Sequence, residues 1–259
     1  MIVSGTKFNI LKSIDIKHVF LKEVKLIIKY YIDFLKMKKC SVIIPAHNEE
    51  LFIEKTLKSL NKQDYKNFEI IIVDNKSNDS TCEIAKESAD NVVTFNKKLN
   101  ASAARNFGVK NSTGEYLAFL DADSCLSSNA ISNLIKFLDN GYCGGTCRLI
   151  SPEDRVISKM QTLIVNKWPR VFGPMYTPFI YTSRNYFKKT GGWNENIELA
   201  DEIDFQRKLL KFGKLKFDLD SFVSTSPRRY IKKGYIRTTF FGVLGYVGYN
   251  RKWDPVRLF

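Results

Sequence analysis

Residues 115–124 read EYLAFLDADS, an apolar run of strand character that ends in the triplet Asp-Ala-Asp. Three earlier segments share the apolar part of this pattern: 41–46 (SVIIPA), 69–73 (EIIIV) and 91–95 (NVVTF). Each is followed by a polar, helix-favouring stretch, and continuous apolar strands that alternate with helices indicate a parallel sheet buried on both faces. The sequence therefore predicts an α/β protein with a mostly parallel central sheet flanked by helices.

Polar residues follow three of these strands, at 45–49, 74–79 and 121–123. Ligands bind beyond the carboxyl ends of the strands in such sheets, so we expect these segments to surround one crevice. Asp121 and Asp123 offer hard oxygen ligands that suit Mg²⁺ or Mn²⁺ beside a diphosphate, although such pairs also occur in solvated turns. Neither GxGxxG nor GxxxxGK[ST] follows the first strand, which disfavours Rossmann dinucleotide enzymes and P-loop NTPases.

A further carboxylate heads an apolar stripe on a helix predicted at 201–212. Glu202 shares that stripe with Phe205, Leu209 and Phe212, whereas Asp201 starts the opposite, polar face with Asp204, Lys208 and Lys211. Burial raises the pKa of such a carboxyl and the helix N-terminus lowers it. A deprotonated but shielded Glu202 would suit a general base, and the alternative is a first-turn acid that stabilises the helix.

The charge is concentrated at the two ends of the chain. The 259 residues carry 41 Lys and Arg against 27 Asp and Glu, a formal net charge of +14. Of this, +6 lies in 1–39 and +8 in 211–259, so 40–210 is neutral. The composition excludes a disordered or collagen-like chain. Basic ends fit either an anionic membrane surface or nucleic acid, but no nucleic-acid-binding motif is present.

The N-terminal segment 1–39 is predicted to be a helical extension with one polar stripe. That stripe consists of residues three or four apart, namely Asp15, His18, Lys22, Lys25, Lys29, Asp33 and Lys36. The helix would lie in a membrane interface, or dock on the rest of the chain or on a second subunit. No signal peptide or spanning segment is evident, and five cysteines without a CxxC pair disfavour a disulfide scaffold. We therefore expect a cytoplasmic protein, peripheral on the membrane.

Four motifs in this order resemble family 2 glycosyltransferases with the GT-A fold. They are SVIIPAHNEE (41–50), EIIIVDNKSNDST (69–81), ASAARNFGVKNSTGEYLAFLDADS (101–124) and YTSRNYFKKTGGWNENIELADEIDFQRKLLKFGK (181–214). The resemblance covers about 40–217. It implies a GT-A catalytic domain at 40–218, between the extension and a basic tail with a short helix at 219–259. In that tail, Arg228 and Arg229 would meet donor or lipid phosphates, or form a solvated loop.

The resemblance also implies roles for individual residues. The residues that would line the nucleotide-sugar site are Ala46, Asn48, Glu49, Asp74, Arg105 and Asp121. Asp123, with Asp121, would hold a divalent cation, Mn²⁺ or Mg²⁺. The family usually has Glu-Asp where this chain has Asp201-Glu202, so the base falls on Glu202, with Asp201 the alternative.

These expectations describe a metal-dependent, inverting enzyme. It would transfer a sugar from a nucleotide-diphosphate donor to a hydroxyl or phosphate acceptor, lipid-linked or glycan, in glycolipid or surface polysaccharide synthesis. The alternative is a catalytically inactive relative that binds nucleotide sugars or acts as a scaffold. A nucleic-acid-binding protein is a third hypothesis, which rests on charge alone.

Overall fold

The structure, a computed structural model, describes residues 37–95, 99–153, 155–171, 173–174, 176–197 and 200–234, together with Val24, Lys25 and Ile28. The rest of the predicted helical extension and the tail beyond 234 lie outside the described residues. Among the residues that are described, no helix combines the length and the apolar character that a membrane span requires.

The first half of the chain forms four parallel strands in the order β3-β2-β1-β4. Their bounds are Cys40–Ala46 (β1), Phe68–Asp74 (β2), Asn91–Thr94 (β3) and Tyr116–Leu120 (β4). The helices between them are Ile53–Asn61 (α1), Thr81–Lys86 (α2) and Ala101–Lys110 (α3). The four apolar runs therefore form the predicted strands, and the carboxyl ends of β1, β2 and β4 meet at one edge.

Alternate residues of these strands pack on opposite faces of the sheet, because successive side chains of a strand point to opposite sides. Ile44 and Ile72 lie in one buried cluster, whereas Ile43, Ile71 and Phe119 lie in the other. Both faces are thus covered, as the continuous apolar runs predict.

The second half extends the same sheet to eight strands in the order β3-β2-β1-β4-β7-β6-β8-β5. The added strands are Ser124–Leu126 (β5), Gly144–Ile150 (β6), Phe179–Ser183 (β7) and Leu215–Thr225 (β8). The helices are Ala130–Asp139 (α4), Val156–Val171 (α5), Arg184–Thr190 (α6), Asp201–Leu210 (α7) and Arg228–Lys233 (α8). β7 is antiparallel to β4 and β6, and β5 is antiparallel to β8, so the sheet is mixed, but four of its seven strand pairings are parallel, as predicted.

Two local predictions differ from the structure. The boundary predicted between 218 and 219 falls inside β8, so the sheet, not a tail, includes the residues up to Thr225. The helix predicted at 201–212 ends at Leu210, and Phe212 is exposed rather than buried.

Candidate active site

The loops after β1 and β2 are joined by hydrogen bonds at the carboxyl edge of the sheet. The Asn48 side chain accepts from the backbone N–H of Asn78 at 2.8 Å, and the Asn48 N–H donates to Ser77 Oγ at 3.0 Å. Ala46 and Asp74, the last residues of β1 and β2, are both buried and lie beside each other in the strand register. The structure therefore brings these three predicted nucleotide-site residues to one edge.

A buried arginine gathers three carboxylates next to that edge. Arg105, on α3, is 4% exposed and donates through Nη1 to Asp201 Oδ2 at 2.7 Å. Its Nη2 donates to Asp121 Oδ1 at 3.0 Å and lies 3.6 Å from Glu202 Oε1. Burial opposes the charge of Arg105, but the three carboxylates outweigh it and raise its pKa. We call Arg105, Asp121, Asp201 and Glu202 the Arg105 cluster.

The two acidic residues of α7 are both buried but have different surroundings. Asp201 Oδ2 also accepts a hydrogen bond from Ser102 Oγ at 2.9 Å, so this carboxylate is held by two donors. Burial raises the pKa of Glu202 well above 4.5, the charge of Asp201 adds to the effect, and Arg105 offsets only part of it. Glu202 therefore releases its proton at a higher pH than an ordinary glutamate does.

The prediction that Asp201 and Asp204 lie on a solvent-facing side of the helix is wrong. Both are buried, because the first turn of α7 faces Arg105 and Ser102 from α3. Asp204 pairs with Lys208 at 3.1 Å, four residues along the same helix. A buried cation on another element can draw a polar side chain inward, and the sequence around α7 does not reveal that partner.

A second cluster lies around Arg228, at the start of α8. Arg228 Nη2 donates to Glu49 Oε1 and lies 3.2 Å from Asp123 Oδ2, and its guanidinium stacks over Phe52 at 4.8 Å. Asp123 also accepts from Thr225 Oγ1 at 3.2 Å. Burial raises the pKa of Glu49, although its pairing with Arg228 works in the opposite direction. We call Glu49, Asp123 and Arg228 the Arg228 bridge.

The Arg228 bridge tests whether a divalent cation fits this edge of the sheet. The positively charged guanidinium of Arg228 lies between Glu49 and Asp123, in the position that a bound metal cation would take. Within the described residues, no three His, Cys, Asp or Glu side chains are arranged to hold a metal. Mg²⁺ usually binds through one or two carboxylates and completes its coordination with water and substrate phosphates. The residues present therefore fit a cation that arrives with a diphosphate.

The Arg105 cluster lines a small pocket together with residues that the sequence did not single out. The lining residues are Arg105, Phe119, Asp121, Thr177, Pro178, Ile180, Trp193 and Glu202. The Trp193 ring lies 4.5 Å from the guanidinium carbon of Arg105 and stacks on Phe205 at 4.4 Å. Its indole N–H is buried and has no partner among the described residues. This N–H is a donor next to the pocket.

Trp193 follows two glycines, and that signal could have identified it. Gly191 and Gly192 both have φ of 75°, a conformation that favours glycine. A Cβ at Gly192 would lie 2.8 Å from Asn106 Oδ1, the atom that accepts the Trp193 backbone N–H at 2.9 Å. The glycines therefore let the chain approach α3 closely and turn Trp193 toward Arg105.

The mixed sheet flanked by helices, with buried carboxylates beside the carboxyl ends of its parallel strands, is typical of a nucleotide-diphospho-sugar transferase fold. The sequence model of "Glycosyl transferase family 2" matches residues 41–206. The chain belongs to that family, as its four motifs predict. An uncharacterized glycosyltransferase of Rickettsia typhi is 28% identical over 194 residues, which are 69% of this chain and 60% of the relative.

A second relative has a specific name. The GalNAc(5)-diNAcBac-PP-undecaprenol beta-1,3-glucosyltransferase of Campylobacter jejuni is 36% identical over 125 residues, 45% of this chain and 40% of that protein. The chain thus spans between two fifths and three fifths of the length of these two relatives.

Solved structures confirm the GT-A fold. The mannosyltransferase PcManGT from Pyrobaculum calidifontis, in complex with GDP-Man and Mn²⁺, has a TM-score of 0.66 at 18% identity, over 83% of this chain and 64% of that one. S. aureus TarS 1–349 in complex with UDP-GlcNAc has a TM-score of 0.59 at 20% identity, over 73% and 59% of the two chains. At these identities the similarity establishes the fold alone.

Proposed function

We propose that the chain is an inverting glycosyltransferase, which moves a sugar from a nucleoside diphosphate sugar to an acceptor hydroxyl or phosphate. The observation that carries the proposal is Glu202. It is a buried carboxyl with a raised pKa, and it shares one pocket with Arg105 and Asp121. A base with a pKa near the working pH removes the acceptor proton most effectively. Family membership supports the same reaction class.

Each part of the site has a role in this reaction. Ala46, Asn48 and Asp74 hold the nucleoside at the ends of β1 and β2, and Asp121 holds the ribose and diphosphate region. Glu202 takes the acceptor proton as the oxygen attacks the anomeric carbon from the side opposite the leaving diphosphate. Asp201 is a positioning residue, because it fixes the guanidinium of Arg105 that lies 3.6 Å from Glu202.

A divalent cation completes the proposed site. Asp123 would hold it, with Glu49 and Asp121 as the nearby oxygen donors, and the ion when bound neutralises charge on the leaving diphosphate. The support is the pair of carboxylates that already hold a guanidinium between them. PcManGT was solved with Mn²⁺ and GDP-Man, and TarS with UDP-GlcNAc.

The acceptor that we propose is lipid-linked or a glycan, in glycolipid or surface polysaccharide synthesis. The name of the C. jejuni relative includes an undecaprenol diphosphate. The basic ends of this chain, +6 in 1–39 and +8 in 211–259, favour a protein that works at an anionic membrane surface. We propose a cytoplasmic location at the periphery of that membrane.

Donor binding and catalysis are tested separately. A ligand that binds only the folded state raises Tm, so we expect one of the UDP, GDP, CDP or dTDP sugars to stabilise the protein in the presence of Mn²⁺. Asp123→Ala should lose the Mn²⁺-dependent part of that shift. Glu202→Gln should keep the donor-induced shift but lower the transfer rate about 10²- to 10⁴-fold, the usual contribution of a general base. Glu87→Gln, on the exposed surface after α2, is the matched control.

The pH dependence gives a second readout for Glu202. The base must be deprotonated, and its raised pKa means that the proton leaves at a pH higher than for an ordinary glutamate. We expect kcat/KM to fall on the acid side of a midpoint well above 4.5. Full activity of Glu202→Gln would overturn the assignment of the base. A Tm that no nucleotide sugar changes would favour the inactive relative.

A further inference from the structure

Helix α5 exposes the side that a surface helix usually buries. Five large apolar side chains of its first three turns are exposed: Val156 (73%), Ile157 (41%), Met160 (58%), Leu163 (61%) and Ile164 (50%). Their spacing of one, four, seven and eight residues from Val156 places them on one face of the helix. Such an apolar patch on a protein surface marks an interaction site.

The opposite, polar face of α5 packs on the protein. Ser158 is 5% exposed and shares a hydrogen bond with Ser151. The Asn166 side chain accepts the backbone N–H of Leu149 at 2.9 Å and donates to the Leu149 carbonyl at 2.8 Å, and so pairs with β6 as a strand would. These polar contacts fix the rotation of the helix. The outward position of the apolar face is therefore set by directional bonds.

The charges around this face select its partner. Residues 153–171 contain four basic residues, Arg155, Lys159, Lys167 and Arg170, and two acids, Glu153 and Asp154, which precede α5, so the net charge is +2 and the helix itself has no Asp or Glu. Arg155, Lys159 and Lys167 are exposed. The ends of the chain are also basic, with +6 in 1–39 and +3 in 235–259, so they have no net negative charge to complement the cations near α5. If two copies of the chain packed through α5, the cations of one copy would repel those of the other. An anionic lipid surface complements both the positive charge and the apolar face.

We propose that α5 is a membrane-binding helix that lies in the interface of an anionic bilayer. The segment that follows it leads directly to the pocket, since Tyr176 Oη lies 3.5 Å from Asp121 Oδ2, and Thr177 and Pro178 line the pocket wall. A helix anchored in the bilayer thus brings the pocket to the membrane surface. This step rests on the proposed function and deepens it, because a lipid-linked acceptor presents its sugar at that surface.

The experiment measures binding of the full chain to vesicles by flotation. The vesicles contain either phosphatidylcholine alone or 30% phosphatidylglycerol, and the variant is Met160→Gln with Leu163→Gln, which leaves the charge unchanged. We expect the wild-type protein to bind the anionic vesicles and the double variant to bind them at least tenfold more weakly. Leu219→Gln, at an apolar residue of β8 that is 44% exposed, is the matched control and should bind within twofold of wild type.

Depth of insertion is tested with brominated lipids, which quench indole fluorescence only at short range. The wild-type chain has Trp168, Trp193 and Trp253, so its own quenching is the baseline. On anionic vesicles Leu163→Trp should show quenching beyond that baseline, and Leu219→Trp should not. Equal vesicle binding by the wild type and the double variant would overturn the proposal. So would a dimer in light scattering that the double variant disrupts without any loss of vesicle binding.

The two proposals fail in different ways. The double variant should retain the donor-induced rise in Tm, because its substitutions are on the surface of α5. A protein that inserts α5 into vesicles but binds no nucleotide sugar would contradict the proposed function and would not contradict the proposal that α5 binds membranes. Donor binding without any vesicle binding would contradict the membrane helix alone.

Discussion

At the scale of single residues, Arg228 competes with any cation for the edge of the sheet. Its guanidinium contacts both Glu49 and Asp123, the two carboxylates that we propose for the metal. A partly exposed ion pair of this kind contributes about 1 kcal/mol or less. Arg228 is therefore weak enough to be displaced by a divalent ion, and strong enough to reduce the affinity for it in the absence of a donor.

Arg228→Gln should accordingly tighten Mn²⁺ binding to the donor-free protein. Removal of a competitor worth about 1 kcal/mol lowers the Kd about fivefold. The measurement is a titration followed by the electron paramagnetic resonance signal of free Mn²⁺. Lys232→Gln removes the same charge from an exposed position of the same helix, and is expected to change the Kd less than twofold. If both variants changed the Kd for Mn²⁺ equally, the net charge alone would set the affinity, and direct competition by Arg228 would be contradicted.

At the scale of elements, Glu69 ties β2 to its neighbours. It accepts from Lys39 Nζ at 2.6 Å, from Ser41 Oγ at 2.7 Å and from the Thr113 N–H at 2.6 Å, so it joins β1, β2 and the turn after α3. Burial alone would raise the pKa of this carboxyl. The bonds from Lys39, Ser41 and Thr113 outweigh burial and lower the pKa of Glu69 to about 2.

Glu69→Gln should destabilise the fold in a pH-dependent way. Hydrogen bonds to a charged group contribute about 2 kcal/mol, so we expect a loss of that order in the unfolding free energy at pH 7. Because the pKa of Glu69 is lower in the folded state than the unfolded-state value of about 4.5, the ionised carboxylate stabilises the fold at pH values above 4.5. This contribution to the unfolding free energy is lost as the pH falls toward 2. Urea denaturation at pH 7, 4 and 2.5 should show wild type and variant converging.

The control for Glu69 is another glutamate that is paired with a lysine. Glu54 and Lys58 lie 2.6 Å apart on α1, but their side chains are 60% and 64% exposed. Such a surface pair contributes about 0.5 kcal/mol at most, so Glu54→Gln should change stability little at any of the three pH values. A pH-independent loss in Glu69→Gln would point to packing rather than to the charge.

The elements also differ in how far the sequence predicts them. Strands β1, β2 and β4 follow from continuous apolar runs, because both of their faces are buried. Helix α6 was missed, because the extended run of β7 continues into it without a break and ends only where Ser183 caps α6 by accepting the Tyr186 N–H at 3.2 Å. Strand β8 was also missed. Its sequence, LKFDLDSFVST, mixes charged with apolar residues and so lacks the continuous apolar run that identified the other strands. In the structure it is one long strand that pairs with both β6 and β5.

The candidate site, like the fold, was predicted only in part from the sequence. The edge that gathers Ala46, Asn48, Asp74 and Asp121 follows from the parallel topology, which aligns the carboxyl ends of strands. The parallel topology does not predict which side chains pair between elements that are distant in the sequence. The pairing of Arg105 with Asp201 joins residues 96 positions apart, and that of Arg228 with Glu49 joins residues 179 apart. The buried face of Asp201 was predicted wrongly for this reason.

At the scale of the whole molecule, two independent forces would hold the protein at a membrane. The basic ends attract anionic lipid by about 1 kcal/mol for each residue near the surface, and salt screens that attraction. The apolar face of α5 gains free energy from burial, which salt does not screen. The region 40–210, with 21 basic and 21 acidic residues, is neutral as a whole, but the exposed Arg155, Lys159 and Lys167 of the α5 region add a local, salt-sensitive attraction.

Salt should therefore separate the two contributions. Between 0.1 and 0.5 M NaCl, where the Debye length falls to about 4 Å, we expect the affinity of the full chain for 30% phosphatidylglycerol vesicles to fall about tenfold or more and then level off. The residual binding at high salt should disappear in the Met160→Gln, Leu163→Gln variant. A variant without residues 1–36 should instead keep the residual binding and lose part of the salt dependence. If a DNA duplex bound at 0.15 M NaCl as tightly as the vesicles, the basic ends would serve nucleic acid, and the membrane interpretation of the charge would be wrong.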